Sequence, residues 1–136
     1  METTFPQDYD HILDVNLRTP FLLTQLFVED LRRTKGCVIC ISCDKGSRPE
    51  PGQLAYCLSK AGLDMLTKSF AMELAPLGIR VNAVAPSFVD TNLYRYATLK
   101  ESDYDALKER AAKNIPLKRI AEDEEVAKAV IFLSSE

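Results

Sequence analysis

The stretch Cys37-Val38-Ile39-Cys40-Ile41-Ser42 is a nearly unbroken apolar run of strand length, the pattern of a β-strand covered on both faces. Its counterpart is Ile79-Arg80-Val81-Asn82-Ala83-Val84-Ala85, closed by Pro86. Between the two lies first a loop, Cys43 to Gln53, punctuated by Gly46, Pro49, Pro51 and Gly52. A helix then opens at Tyr56 and runs to about Ala75, where Pro76-Leu77-Gly78 stops it. Two strands joined through a helix run parallel, and such a crossover is right-handed. The centre of the chain is therefore one βαβ unit, and the fold class is α/β.

Working outward, residues 1 to 6 read as an extended lead and Gln7 to about Arg33 as one long helix. Its apolar residues, among them Ile12, Val15, Leu17, Phe21 and Leu26, point in nearly every direction, which asks for burial on more than one side. Pro20 removes a backbone donor and predicts a kink. Asn16 falls in the kinked region, where its amide either satisfies carbonyls freed near the proline or serves a site. Lys35-Gly36 ends this helix. Beyond Pro86, residues 87 to 122 are largely polar, with a predicted helix over Asp103 to Lys113 and a stop at Pro116. So long a segment past a strand's carboxyl end is placed to act as a lid over a substrate. A last helix is expected to start with Asp123 as N-cap and to bury Val126, Ala129, Val130 and Leu133; the sequence offers no cap for its other end.

The central helix carries two stripes. Leu63, Leu66, Phe70 and Leu74 form one, and Leu58, Gly62, Met65, Ser69 and Met72 form a second, small and soft, that suits a partner helix. The strands pose a harder demand. Each has a single neighbour in this chain, and parallel strands apolar on both faces do not leave their outer edges bare. Adjoining strands have to come from elsewhere, so residues 1–136 are expected to form a single but partial domain.

The chain has 136 residues, a hydrophobic fraction of 46% and a net charge of −3, enough apolar material for one ordinary core. Lys and Arg are dispersed among acids with no basic stripe, which excludes a nucleic-acid footprint. There is no apolar run long enough for a membrane span, and Met1 to Asp10 has no apolar signal region. A reducing, soluble compartment, the cytoplasm, is the expectation. His11, the only histidine, sits among polar neighbours and reads as surface. Cys37-x-x-Cys40-x-x-Cys43 has iron–sulfur spacing, but residues 37 and 40 of a strand point to opposite faces. Buried structural thiols account for Cys37 and Cys40, no metal site is expected, and Cys43 alone is placed to meet a site beside Lys60.

Chemistry concentrates in Tyr56-Cys57-Leu58-Ser59-Lys60-Ala61. On a helix, residues four apart stack on one face. An ammonium beside a phenol favours the phenolate and lowers the phenol's pKa from about 10, which makes a general acid/base. Any surface Tyr and Lys could share this spacing, so the surrounding words decide.

Those words are Leu13-Asp14-Val15-Asn16-Leu17, Tyr56-x-x-x-Lys60-Ala61, Gly78-Ile79-Arg80-Val81-Asn82-Ala83-Val84-Ala85-Pro86, Thr91 after that proline, and Pro116-Leu117-x-Arg119 followed by Glu124-Glu125-Val126-Ala127. In this order and spacing the chain resembles the C-terminal half of a short-chain dehydrogenase/reductase. The resemblance implies a partial Rossmann-like, doubly wound parallel sheet without the N-terminal nucleotide-binding half or the last strand. It further implies an NAD or NADP cofactor and a small alcohol or carbonyl substrate. By that resemblance Tyr56 exchanges the proton with substrate oxygen, Lys60 lowers its pKa and bonds the nicotinamide ribose, and Asn16 holds a water that relays protons to Lys60. Pro86, Ser87, Val89 and Thr91 match the segment that lies along the nicotinamide. The helices 7–33 and 56–75 match those through which the family pairs subunits, so an oligomer is implied.

The sequence departs from that pattern in three places. Cys43 stands where the family has a substrate-orienting serine, and a thiol is a weak, long donor; Ser42 beside it points to the opposite face of the strand. Ser87 replaces the glycine after Pro86. No glycine-rich turn able to cradle a pyrophosphate occurs in the chain. Two readings follow: an NAD(P)-dependent oxidoreductase whose cofactor-binding half lies outside this chain, or a truncated, non-catalytic structural or assembly subunit.

Overall fold

The computed structural model describes residues 4–92 and 101–135. The elements are α1 (Pro6–Leu13), a π-helical turn (Asp14–Arg18), α2 (Thr19–Thr34), β1 (Cys37–Ile41), α3 (Leu54–Leu74), β2 (Arg80–Val84), α4 (Glu101–Asn114) and α5 (Asp123–Ser134). Strands β1 and β2 pair in parallel, Cys37 opposite Arg80 and Ile41 opposite Val84. The βαβ unit is thus present as the apolar runs predicted it, with α3 opening two residues earlier, at Leu54.

The long N-terminal helix is not simply kinked at Pro20. It loosens through the π turn, where the Thr19 N–H reaches back to the Asp14 carbonyl, and Pro20 then stands in the first turn of α2. Proline has no N–H for the carbonyl four residues earlier, so the wider turn lets the helix pass without an interior break. Helix α2 closes at Lys35, which itself takes the left-handed conformation (φ 54°) and reaches the Leu77 carbonyl at 3.1 Å. Gly36 follows, its N–H on the Leu31 carbonyl at 2.9 Å.

The core is centred on Leu74, Ile79 and Val81, flanked by Val28, Leu31, Val38 and Phe70. Phe21 stacks on Phe70 at 5.9 Å between centroids. Gly62 permits a close approach of the N-terminal helical segment to α3: a Cβ there would lie 2.8 Å from Leu17 Cδ2. The rest of α2 differs from the expected all-round burial. Leu22, Leu23, Leu26 and Phe27 are exposed, because the described residues place nothing over that face. On α3, Leu58, Met65 and Met72 of the second stripe are exposed as well.

Both sheet edges are open among the described residues. The Ser42 N–H bonds the Val84 carbonyl at 2.8 Å and the Arg80 N–H the Gly36 carbonyl at 3.3 Å. By strand alternation, residues 37, 39 and 41 of β1 then turn their backbone groups away from β2. Cys37 is only half-buried, whereas Cys40 and Cys57 are buried, so the structural-thiol reading holds for Cys40 and not fully for Cys37. His11 is exposed.

Helix α5 corrects one expectation and supplies a missing part. Its N-cap is Glu122, not Asp123, in a reciprocal capping box with Glu125. Glu122 has a glutamate three residues on and Asp123 has Val126, and only the first pairing closes the box. At the other end, the Arg80 guanidinium takes the Leu133, Ser134 and Ser135 carbonyls at 2.6, 3.4 and 3.0 Å. No described helix is long and apolar enough to cross a membrane.

Candidate active site at the carboxyl ends of the strands

Parallel strands finish on one side of the molecule, and the chain leaving β1 and β2 walls a cavity of about 380 Å³. Cys43 and Tyr56 line it, with Ala85, Ser87 and Phe88 from the segment after β2 and Leu107, Arg110 and Asn114 from α4. The region predicted as a lid therefore contributes α4 to this wall. Its residues 93–100 lie outside the described residues. The flanks of that segment are tied together: the buried Tyr104 hydroxyl donates to Asp90 at 2.6 Å and to the Thr91 carbonyl at 3.2 Å, and Val89 bridges Ala121. Burial, then the Asp90 carboxylate, pushes the Tyr104 phenol up.

Tyr56 is the third residue of α3, and Lys60 follows one turn later. The Lys60 ammonium lies 5.6 Å from the Tyr56 ring centroid and donates to the Ile41 carbonyl, on the open edge of β1, at 2.9 Å. It is half-buried. Loss of hydration lowers its pKa, opposed by the acidic groups of Cys43 and Asp64 nearby.

Cys43 faces the same cavity as Tyr56. Its thiol donates to Asp44 Oδ1 at 3.4 Å. Burial pushes the thiol pKa up, while hydrogen bonds from the Lys45 backbone and the Tyr56 side chain pull it down. Ser42 is directed elsewhere: its buried hydroxyl donates to the Asp64 carboxylate of α3. The structure thus keeps the strand register, and Ser42 does not replace Cys43. Gly46 makes this close packing possible, since a Cβ there would meet Asp64 Oδ2 at 2.6 Å and the Lys60 carbonyl carbon at 3.0 Å.

Asn16 approaches from the π turn. Its amide donates to Ser59 Oγ at 3.1 Å, and Ser59, fully buried, donates to the Tyr56 carbonyl at 2.7 Å. Asn16 and Lys60 together line a second cavity of about 340 Å³ beside the open edge of β1. The predicted residues therefore fall into two adjoining spaces, Cys43, Tyr56 and Ser87 in one and Asn16 and Lys60 in the other. Pro86 accepts the Asp44 N–H at 3.1 Å, which fixes the loop beneath Cys43, and Val89 and Thr91 are held by the Ala121 and Tyr104 contacts.

Ser59, Asp64 and Asp44 were not singled out from the sequence. Ser59 sits between Tyr56 and Lys60 in the motif itself, and a small polar residue on a buried face was its available signal. Asp64 lies four residues after Lys60, one turn along the same helical face, which is also readable. Asp44 gave no signal beyond adjacency to Cys43.

A nicotinamide cofactor asks for a polar grip at its ribose and a cradle at its pyrophosphate. The first fits this chain: among the described residues the Lys60 ammonium makes a single hydrogen bond, which leaves donors for a sugar hydroxyl. The second does not, because Gly36, Gly46, Gly52, Gly62 and Gly78 form no glycine-rich turn. The residues match half of what the cofactor needs.

Comparison with known proteins agrees with that division. A family model described as enoyl-(acyl carrier protein) reductase matches residues 1–136. A 3-oxoacyl-[acyl-carrier-protein] reductase of Thermotoga maritima is 38% identical over 131 residues, covering 96% of this chain and 51% of that protein. A short-chain dehydrogenase/reductase of unknown function from Caenorhabditis elegans, solved with cofactor, superposes with a TM-score of 0.92 at 28% identity, over 97% of this chain and 50% of that one. An NADPH-bound short-chain oxidoreductase of Pseudomonas aeruginosa, described as containing an atypical catalytic center, gives 0.87 at 28% identity, over 99% and 53%. The chain spans about half the length of the relatives it matches, and across that half the paired strands, the Tyr56–Lys60 helix and the sequence match agree: the chain belongs to the short-chain dehydrogenase/reductase family.

Proposed function

We propose that this chain is the proton-transfer and substrate-binding half of an NAD(P)-dependent oxidoreductase that interconverts an alcohol and a carbonyl compound. The observation that carries the reading is the Tyr56 side chain facing a 380 Å³ cavity beside Cys43, with the Lys60 ammonium behind its ring. When bound, the reduced nicotinamide supplies the hydride that reaches the carbonyl carbon. Tyr56 gives its hydroxyl proton to the carbonyl oxygen, so that the two-electron reduction to the alcohol is balanced. The nearby Lys60 cation stabilises the phenolate left behind. Its lowered pKa brings it closer to exchanging a proton itself, and Asn16 stands across the second cavity where a water can link it to solvent. By the family resemblance Pro86, Ser87, Val89 and Thr91 would lie along the nicotinamide, and of these Ser87 lines the cavity. The pyrophosphate site belongs to chain outside these residues.

Cys43 tunes this reaction downward. A thiol already donating to Asp44 has no proton left for a substrate oxygen, so carbonyl polarisation rests on Tyr56. The test is NAD(P)H oxidation by the complete protein across a panel of ketones and aldehydes. Turnover that vanishes in Tyr56→Phe supports the reading, and absence of cofactor binding by the complete protein removes it. The exposed Leu26, Met65 and Met72 favour a second reading, an assembly subunit that works through its helices. Tyr56-dependent turnover would count against that one.

A further inference from the structure

The cavity beside Tyr56 carries charges that proton transfer does not use. Three cationic and two anionic side chains line it: Lys45, Arg48 and Arg110 against Asp44 and Glu50. Lys45 and Glu50 neutralise each other through a half-buried ion pair at 2.6 Å. Asp44 is engaged by the Cys43 thiol and lies at the catalytic end. That leaves Arg48, from the loop after β1, and Arg110, from α4, on two different walls. Among the described residues neither guanidinium has a hydrogen bond or ion pair, although acids are abundant in the chain. Asn114 lines the same space one turn after Arg110 and adds an amide.

We propose that the substrate is a carbonyl compound bearing a free carboxylate, held by Arg48 and Arg110 while its carbonyl meets Tyr56. The inference rests on the oxidoreductase reading above and adds the substrate class to it. Guanidinium groups present fork-like donors that match a carboxylate in its plane. The lining as a whole carries one net positive charge, which balances a monoanionic carboxylate rather than a dianionic phosphate. The space, about 380 Å³, is at the small-molecule end of ligand sites, so an oxo acid of a few carbons fits it better than a bulky carrier.

The experiment compares levulinate with its neutral methyl ester, using the complete protein and NAD(P)H. A charge-assisted contact of ordinary strength predicts kcat/KM for the acid about tenfold or more above the ester. The double variant Arg48→Met with Arg110→Met should bring that ratio close to one, and Arg110→Glu should invert it. The ratio reports on substrate discrimination within each preparation, so a variant with less folded protein still gives a reading. A wild-type ratio near one, or a ratio that survives the double substitution, overturns the proposal. If neither compound turns over, the ketone and aldehyde panel and cofactor binding judge the oxidoreductase reading, and calorimetric titration with the same two compounds decides the anion site alone. Binding of levulinate but not its ester supports it, and binding of neither overturns it.

Discussion

The side-chain amide of Asn16 donates to Ser59 Oγ at 3.1 Å, and the same hydroxyl donates to the Tyr56 carbonyl at 2.7 Å. The π turn that accommodates Pro20 is thereby fastened to the first turn of the helix that bears Tyr56. Ser59 is fully buried, so its removal leaves an amide without a partner and no water in its place. Ser59→Ala should cost about 1–3 kcal/mol in chemical denaturation of the complete protein. Asn16→Ala removes the same bond from the other side, so the pair should be non-additive by roughly 0.5 kcal/mol or more in a double-mutant cycle. Strictly additive losses would mean the two groups do not interact.

Cys43 offers an improvement by substitution. Its thiol proton goes to Asp44, and burial holds the group in its neutral form by pushing its pKa up. A hydroxyl at this position is a shorter, stronger donor toward a substrate oxygen. On the proposed reaction, Cys43→Ser should raise kcat by about tenfold or more, by the usual worth of a donor aimed at developing negative charge. Stopped-flow NAD(P)H oxidation at saturating substrate measures it. A slower Ser variant would show that the thiol serves the present substrate in another way.

The Arg119–Glu125 pair gives a pH signature. Two 2.7 Å contacts join the guanidinium and the carboxylate, and Glu125 also accepts the Glu122 N–H of the capping box. Arg119 first, then that N–H, holds the Glu125 carboxyl down at about 2 from 4.5. A carboxyl whose pKa is lower folded than unfolded stabilises the fold above the unfolded value, and the benefit is lost as pH falls toward the folded one. Wild type should therefore unfold at a higher temperature than Glu125→Gln above pH 4.5. The gap should close as the pH descends to about 2, and shrink in high salt because the pair is exposed. A gap independent of pH would assign the effect to packing.

Local pattern made much of this fold legible. Strand 37–41 is an apolar run after Gly36, strand 80–84 carries Val81, Ala83 and Val84 between Gly78 and Pro86, and the Tyr56–Lys60 spacing needs only helical geometry. Pro20 announced an irregularity, but whether it becomes a kink or a π turn depends on which carbonyl the Thr19 N–H finds, and proline does not dictate that. The Glu122 cap was readable, since its box partner Glu125 stands three residues on; the neighbouring Asp123 is the more usual capping residue and drew the assignment. Other features were out of reach because their partners are remote in sequence. Asn16 and Ser59 are 43 residues apart, and Ser42 and Asp64 are 22 apart. The two cavity guanidiniums, Arg48 and Arg110, come from a loop and a helix whose meeting only the fold creates.

Arg80 belongs to that last group and yields the clearest structural test. It opens β2, yet its guanidinium caps the carbonyls of Leu133, Ser134 and Ser135 at the end of α5, 53 to 55 residues away. Those carbonyls have no partners within their own helix, and a cation beside them opposes the negative end of the helix dipole. Removing it in Arg80→Met should loosen the last turn of α5 by about 1–2 kcal/mol. Amide hydrogen exchange at Ile131 to Ser134 should then quicken by roughly tenfold, while exchange in the first turn, held by the Glu122–Glu125 box, stays as it was. Arg80→Lys keeps the charge but loses the fork, so it should recover only part of the protection. Unchanged exchange in the Met variant would show that α5 ends without help from β2.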